Sequence, residues 1–363
     1  MSKWLTISLF IGFVTSGCYY DESIPEDQNV WPVVQPTDVG MDEVRLLQMD
    51  SSIIAQPGQG IESVVIIKSG SLVYEKYYFG NNRITQFELG GVSSFISNLA
   101  IGRAIDMGLI NSVSDSIYKY LPAFSEEFED FPLKKNMTFE HLMTMKSGLS
   151  WNELRGAFDG QLSDIDRMVE SEDWAEFLIT KPLDAVPGSR YAYNSAIPVL
   201  LAEAIEVQYG DGIHSFLLNE VFGSMNVNSF DVARVGDNAN MAWGISLTTL
   251  DLAKLGYLYL EKGNWFNEQI VDAEYMTSSV SIQTNLDYFN NFGWMWWRYA
   301  DTSGFLPFLE VNDVFFAGGI GEQRLYVVPH LELVVAITGK NERADFDLSS
   351  PLIFRNYILR SIQ

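Results

Sequence analysis

Two hairpin patterns stand at opposite ends of this chain, and most of what lies between them reads as helix. Near the front, Val64-Val65-Ile66-Ile67, a Lys68-Ser69-Gly70-Ser71 turn and Leu72-Val73-Tyr74 make one pair of strands. Near the end, Leu325 to Val328 and Leu333 to Ile337 flank a Pro329-His330 turn and make another. Helical spacing runs from Asp42 to Ile54 ahead of the first pair and from about Pro351 to Ile362 behind the second. Between the pairs, signals such as the Thr248-x-x-Asp251 capping box are mostly helical. Strands, then helices, then strands is an α+β order. It predicts an antiparallel sheet flanked by helices, with a mostly helical subdomain inserted into it. The expected division is a sheet part over 37–90 and 313–363 and an insert over 91–312, with a binding cleft between them.

One of the inserted helices carries the chemistry. Phe95, Leu99, Ile101, Ala104, Ile105 and Leu109 recur at helical spacing before Gly108 and a turn at Asn111, so this helix is buried. It opens on Gly91-Val92-Ser93-Ser94.

The run Phe95 to Ile110, then Tyr120-Leu121-Pro122, then Phe139 to Leu149 (FEHLMTMKSGL) resembles the serine β-lactamase superfamily, in particular its class C β-lactamase-related group of carboxylesterases, D-aminopeptidases and 6-aminohexanoate-dimer hydrolases. The likeness continues in order through Pro187 to Ser195 (PGSRYAYNS), Leu250 to Gly256, Gly293 to Trp297 and Gly321 to Pro329, and spans about residues 36 to 360. The resemblance implies the β-lactamase/transpeptidase-like fold and a Ser-x-x-Lys pair in the first turn of the buried helix. There, desolvation of the lysine amine lets it take the serine proton. Counting back from Gly102 without a gap sets Gly91 at the nucleophile position and Ser94 at the lysine position. The second element, a tyrosine base in a Tyr-Asn-Ser run, is matched by Tyr193, Asn194 and Ser195. The third, a Lys-Thr-Gly or His-x-Gly strand, is matched by Ala317, Gly318 and Gly319, with Ile320 following as a cleft-lining residue.

Losing a nucleophile alone removes about six orders of magnitude of turnover in a serine hydrolase. The expectation is therefore a degenerate member that binds a small molecule or peptide-like ligand in the cleft through Gly91, Asn194, Ala317, Gly318, Gly319 and Ile320. The alternative is an active esterase, amidase or D-peptidase using Ser93 or Ser94 with Tyr193. Geometry weighs against it, because Ser94 starts one turn deeper in the helix and Ser93 points about 100° away from the face of position 91, so neither hydroxyl is expected near the oxyanion donors. Writing the pair back, Gly91→Ser with Ser94→Lys, is expected to restore serine labelling on an intact cleft.

Composition limits partners. With 363 residues, 47% of them hydrophobic, the chain can bury a large core. A formal charge of −24 argues against nucleic acid as a partner. One cysteine and three scattered histidines offer no metal constellation, and no cofactor is implied. At the N-terminus, Lys3 and an apolar stretch from Trp4 to Val14 lead into Thr15-Ser16-Gly17-Cys18, which reads as a signal peptide over 1–17 with a lipid on Cys18. Residues 18–36, acidic and proline-bearing, read as a tether to the membrane of a bacterial cell envelope, and 37–363 as the folded domain. Trp294, Trp296, Trp297 and Tyr299 read as a packed strand, and Ser147-Gly148-Leu149 as a helix C-terminal turn.

Overall fold

Val64-Val65-Ile66-Ile67 is apolar at every position because its strand is covered on both faces. Val64 and Ile66 pack into one core, and Val65 and Ile67 into the other. The computed structural model describes residues 30–56, 60–153, 162–340 and 349–363. Strands β1 (Ile61–Lys68) and β2 (Ser71–Tyr77) form the expected hairpin. Its two-residue turn is left-handed at both positions, Ser69 at φ 49° and Gly70 at φ 67°, the twist that lets paired strands continue. Three short strands then build a small second sheet in the order β3 (Gln86–Glu88), β5 (Ile245–Thr248), β4 (Asp231–Val232).

The main sheet is completed by β6 (Thr284–Asn285), β7 (Asn290–Phe292), β8 (Trp297–Tyr299), β9 (Phe315–Gly318), β10 (Arg324–Val328) and β11 (Leu333–Gly339). Its eight strands lie in the order β6-β7-β8-β9-β10-β11-β1-β2, and every neighbouring pair is antiparallel. Helix α1 (Glu43–Ile54), capped by the Asp42 carboxylate on Val44 and Arg45 N–H, covers the outer face with the C-terminal helical run Ser350 to Ser361. The inner face carries α2 (Ser94–Asp106), α3 (Ile197–Tyr209) and α4 (Thr249–Leu260) within one continuous core. Helix α4 lies close against the sheet at Gly256, where an added Cβ would come 2.6 Å from Val334 and 2.7 Å from Leu325. At its N-terminus, Thr248 caps the Asp251 N–H at 3.1 Å, as the capping box predicts.

Three sequence expectations need correction. The sheet resumes at Thr284 rather than at 313, because β6, β7 and β8 are only two or three residues long and too brief to register as alternation. The tether does not reach residue 36. Trp31 is 2% exposed, set edge-on to Tyr257 and Trp265, and Val33 bridges to Leu72, so the folded part begins by Val30. Gly148 ends no helix. The preceding helix, Phe139–Met143, is already capped at Thr144, and Gly148 at φ 81° instead receives the backbone of Asp184 and Ala185 on its carbonyl. Cys18 and the signal segment lie outside the described residues. No helix among the described residues is long and apolar enough to cross a membrane.

Candidate functional site

The turn ahead of α2 is held from below by the small sheet, through a Leu89 N–H to Ile245 carbonyl bond of 2.8 Å. Gly90 to Ser93 then form a single 3₁₀ turn, with Gly90 at φ 54°. The end of β9 presses directly on it. A Cβ built on Gly91 would lie 2.9 Å from the Gly318 carbonyl oxygen, and one built on Gly319 would lie 2.6 Å from the Leu89 oxygen and 2.9 Å from the Gly91 nitrogen. These glycines meet backbone to backbone, with no room for a side chain between them. The Gly319 peptide is fully engaged. Its N–H donates to the Gln323 carbonyl at 3.0 Å, and its carbonyl accepts from Arg324 Nη1 at 2.7 Å.

Both serines beside Gly91 serve the backbone. Ser93 is fully buried, and its Oγ accepts a long 3.4 Å bond from the Ile245 N–H. Ser94 donates its hydroxyl to the Gly91 carbonyl at 2.9 Å, the local bond a serine makes at a helix start. Among the described residues, no hydrogen bond joins either serine to Tyr193.

Tyr193, Asn194 and Ser195 stand in the loop leading into α3, and a carboxylate governs their surroundings. One Glu153 oxygen accepts from the Trp151 indole at 2.5 Å and from the Ser195 N–H at 3.2 Å. Burial and then the Glu153 charge push the Tyr193 phenol up to about 12. Burial, the neighbouring Tyr193, Asp287 and Glu153 likewise raise Tyr191. The Tyr193 ring packs on Trp297 at 5.7 Å, and Tyr191 packs on Phe292 at 5.8 Å. Asn194 accepts the Ala196 N–H on Oδ1 at 3.0 Å, while its Nδ2, the Ser195 Oγ and the Tyr191 hydroxyl are buried with no partner among the described residues.

The profile of the Beta-lactamase family matches residues 53–351, most of the chain. The chain belongs to that family. An uncharacterized protein of Alkalihalophilus pseudofirmus is 25% identical to it over 315 residues, covering 75% of this chain and 81% of the relative. A solved structure assigned as a 6-aminohexanoate-dimer hydrolase, from Bacillus anthracis, superposes with a TM-score of 0.71 at 16% identity, over 91% of this chain and 86% of that one. EstCE1, described as a hydrolase with promiscuous acyltransferase activity, superposes at 0.67 with 16% identity, over 88% and 98%. At such identities the superpositions speak for the fold, and they agree with the mixed helical and antiparallel architecture above.

Within this Beta-lactamase family fold, Gly91, Gly318 and Gly319 do converge, as the sequence predicts, while Tyr193, Asn194 and Ser195 form a separate group around Glu153. Ala317 is buried in the core. Ile320, just past the end of β9, has a 91% exposed side chain, while its backbone oxygen lies 3.4 Å from where a Cβ on Gly90 would be. Trp294 and Trp296 are buried packing residues, whereas only Trp297 reaches the tyrosine group. Sequence reasoning missed Glu153. Its bond to the Trp151 indole is local, but the Ser195 N–H that ties it to this group lies 42 residues further on, beyond any spacing signal. Among the described residues, no group of three or more His, Cys, Asp or Glu side chains is placed to hold a metal.

Proposed function

We propose that this Beta-lactamase family protein is a non-hydrolytic member that binds a ligand or partner without turning it over. The observation that carries the reading is the contact at Gly91. A serine there would need its Cβ 2.9 Å from a backbone oxygen, so the position matching the family nucleophile has neither a hydroxyl nor space for one. The neighbouring chemistry agrees. Ser93 and Ser94 are bound to backbone, and a phenol held near 12 stays protonated at neutral pH and cannot take a proton from either serine. The deciding experiment is the intact mass of the domain from residue 19 onward after incubation with a fluorophosphonate, and separately with a penicillin. The expected result is the unmodified mass from folded protein. An adduct on Ser93 or Ser94 would make it a hydrolase with a displaced nucleophile and sink the proposal.

The sequence around Cys18 supports a place for the protein in a bacterial envelope, tethered by lipid. Cys18→Ser should move the full chain from the membrane fraction to the soluble fraction. Unchanged fractionation would remove the anchor from the proposal.

A further inference from the structure

The chain enters the fold at the end of the sheet that lies away from the Gly91 contact. Gly318, which presses on Gly91, stands at one end of the sheet beside Arg324 and Ile337. The opposite end carries Val328, Leu333, Lys68, Ser71 and the turns that join them. Val33 bridges in parallel to Leu72, and the Leu72 N–H donates to the Pro32 carbonyl at 2.9 Å, so Val30 and Trp31 emerge at this second end. Strand β11 crosses from one end to the other, about 20 Å at 3.4 Å per residue.

Aromatic rings gather where the chain enters. A Cβ on Gly70, in the β1–β2 turn, would lie 3.6 Å from the Tyr257 hydroxyl, which brings the last turns of α4 to the same end. Phe266 lies 5.0 Å from Trp265 and stacks on Tyr257 at 6.0 Å. Trp31, Tyr257 and Trp265 are buried, but Phe266 is 51% exposed. It sits at the tip of a hairpin, between the short strands Asn264–Trp265 and Glu268–Gln269, in a turn that is left-handed at both Phe266 (φ 46°) and Asn267 (φ 78°). Such turns favour Asn and Gly, because a bulky side chain is strained in left-handed backbone. Neither the turn nor the core calls for a ring at Phe266, and strain kept at an exposed site points to a use outside the fold.

Charge and reach say what the ring meets. Lys68 and Lys262 stand among Glu261, Glu268 and Glu332, a nearly balanced set on a chain whose formal charge is −24. An anionic surface would repel the molecule as a whole, whereas a zwitterionic one would not. Twelve peptide steps separate Cys18 from Val30, a reach of at most about 40 Å. A lipid on Cys18 therefore keeps this end, and not the Gly91 end, beside the bilayer.

We propose that this end of the domain seats on a zwitterionic bilayer surface, with the Phe266 ring entering the interface and the Gly91 contact turned toward the aqueous side. The inference rests on the lipid-anchored reading above, and it makes the ligand one drawn from solution rather than from the membrane.

The test couples the chain from Cys18 onward, which keeps the whole described fold, through its only thiol to maleimide-bearing phosphatidylcholine vesicles. The control is the same chain capped with N-ethylmaleimide. On vesicles, amide exchange over 264–269 is expected to slow at least about threefold, with 318–323 unchanged. Phe266→Asn suits the turn better, so it should keep or raise the melting temperature and abolish the slowing. Phosphatidylglycerol vesicles at low salt should protect the hairpin less than phosphatidylcholine. Slowing over 318–323 instead, equal exchange on vesicles and in solution, or protection that survives Phe266→Asn would overturn the proposal, as would stronger protection on phosphatidylglycerol. Because the coupling supplies the anchor, the outcome does not depend on whether cells place a lipid on Cys18, which the fractionation of Cys18→Ser decides separately.

Discussion

At the scale of single residues, the contest at position 91 is between a hydroxyl and a carbonyl for the same space. The sequence reading expects the pair Gly91→Ser and Ser94→Lys to restore serine labelling. The structure reverses that expectation, because the new Cβ meets the Gly318 oxygen at 2.9 Å and the Gly318-Gly319 backbone cannot retreat without giving up the Gln323 and Arg324 bonds. The double variant should stay unlabelled by a fluorophosphonate and lose about 1–3 kcal/mol of stability, the usual cost of overpacking, read as a lower urea midpoint. Labelling at residue 91 would show that the strand yields. Gly91, Ser94 and Tyr193 to Ser195 were legible in the sequence because each sits in a short run of fixed spacing. Glu153 was not, since what makes it matter is a bond to a residue far along the chain. The exposure of Ile320 was equally hidden, since nothing in its own run marks where β9 ends.

Among the elements, α2 shows how a helix becomes buried on nearly every side. Gly102 is the reason one neighbour comes so close. A Cβ there would lie 2.5 Å from the Tyr275 ring and 2.8 Å from Val271, on and beside the helix Ala273–Ser279. Tyr275 then reaches past it to donate to the Asn98 carbonyl at 2.8 Å. Alanine is the better helix former by about 1 kcal/mol, but the clash should outweigh it. Gly102→Ala is therefore expected to lower stability by a net 0.5–2 kcal/mol or so, and a raised melting temperature would refute that account of the packing. Elements with long, regular periodicity, such as α1, α2 and the two hairpins, could be read from sequence. The tryptophan run could not be read as it stands, because Met295 at φ 61° breaks it and leaves only Trp297–Tyr299 in a strand.

Over the whole molecule, titration shapes stability through buried phenols. Tyr193 and Tyr326 are each raised from 10.0 to about 12, mainly by burial, and Tyr74, Tyr275 and Tyr299 are raised further. A group whose folded pKa lies above its unfolded one favours folding fully below the unfolded value. That contribution fades as pH climbs from 10 and is gone beyond the folded value. The urea midpoint should thus hold near about pH 9 and fall steeply by about pH 11.5, with the −24 charge adding self-repulsion as more phenols ionise. A flat profile across that interval would mean the phenols are hydrated.

The glycine contact between the sheet and the helical layer has one more consequence, in time rather than in energy. Side chains at an interface can flex and let solvent flicker through, whereas main chain laid on main chain has almost nothing to compress. Deuterium should therefore enter the Val92 amide, bonded to Leu89 at 3.1 Å and shielded by Gly319, only when the two layers separate as wholes.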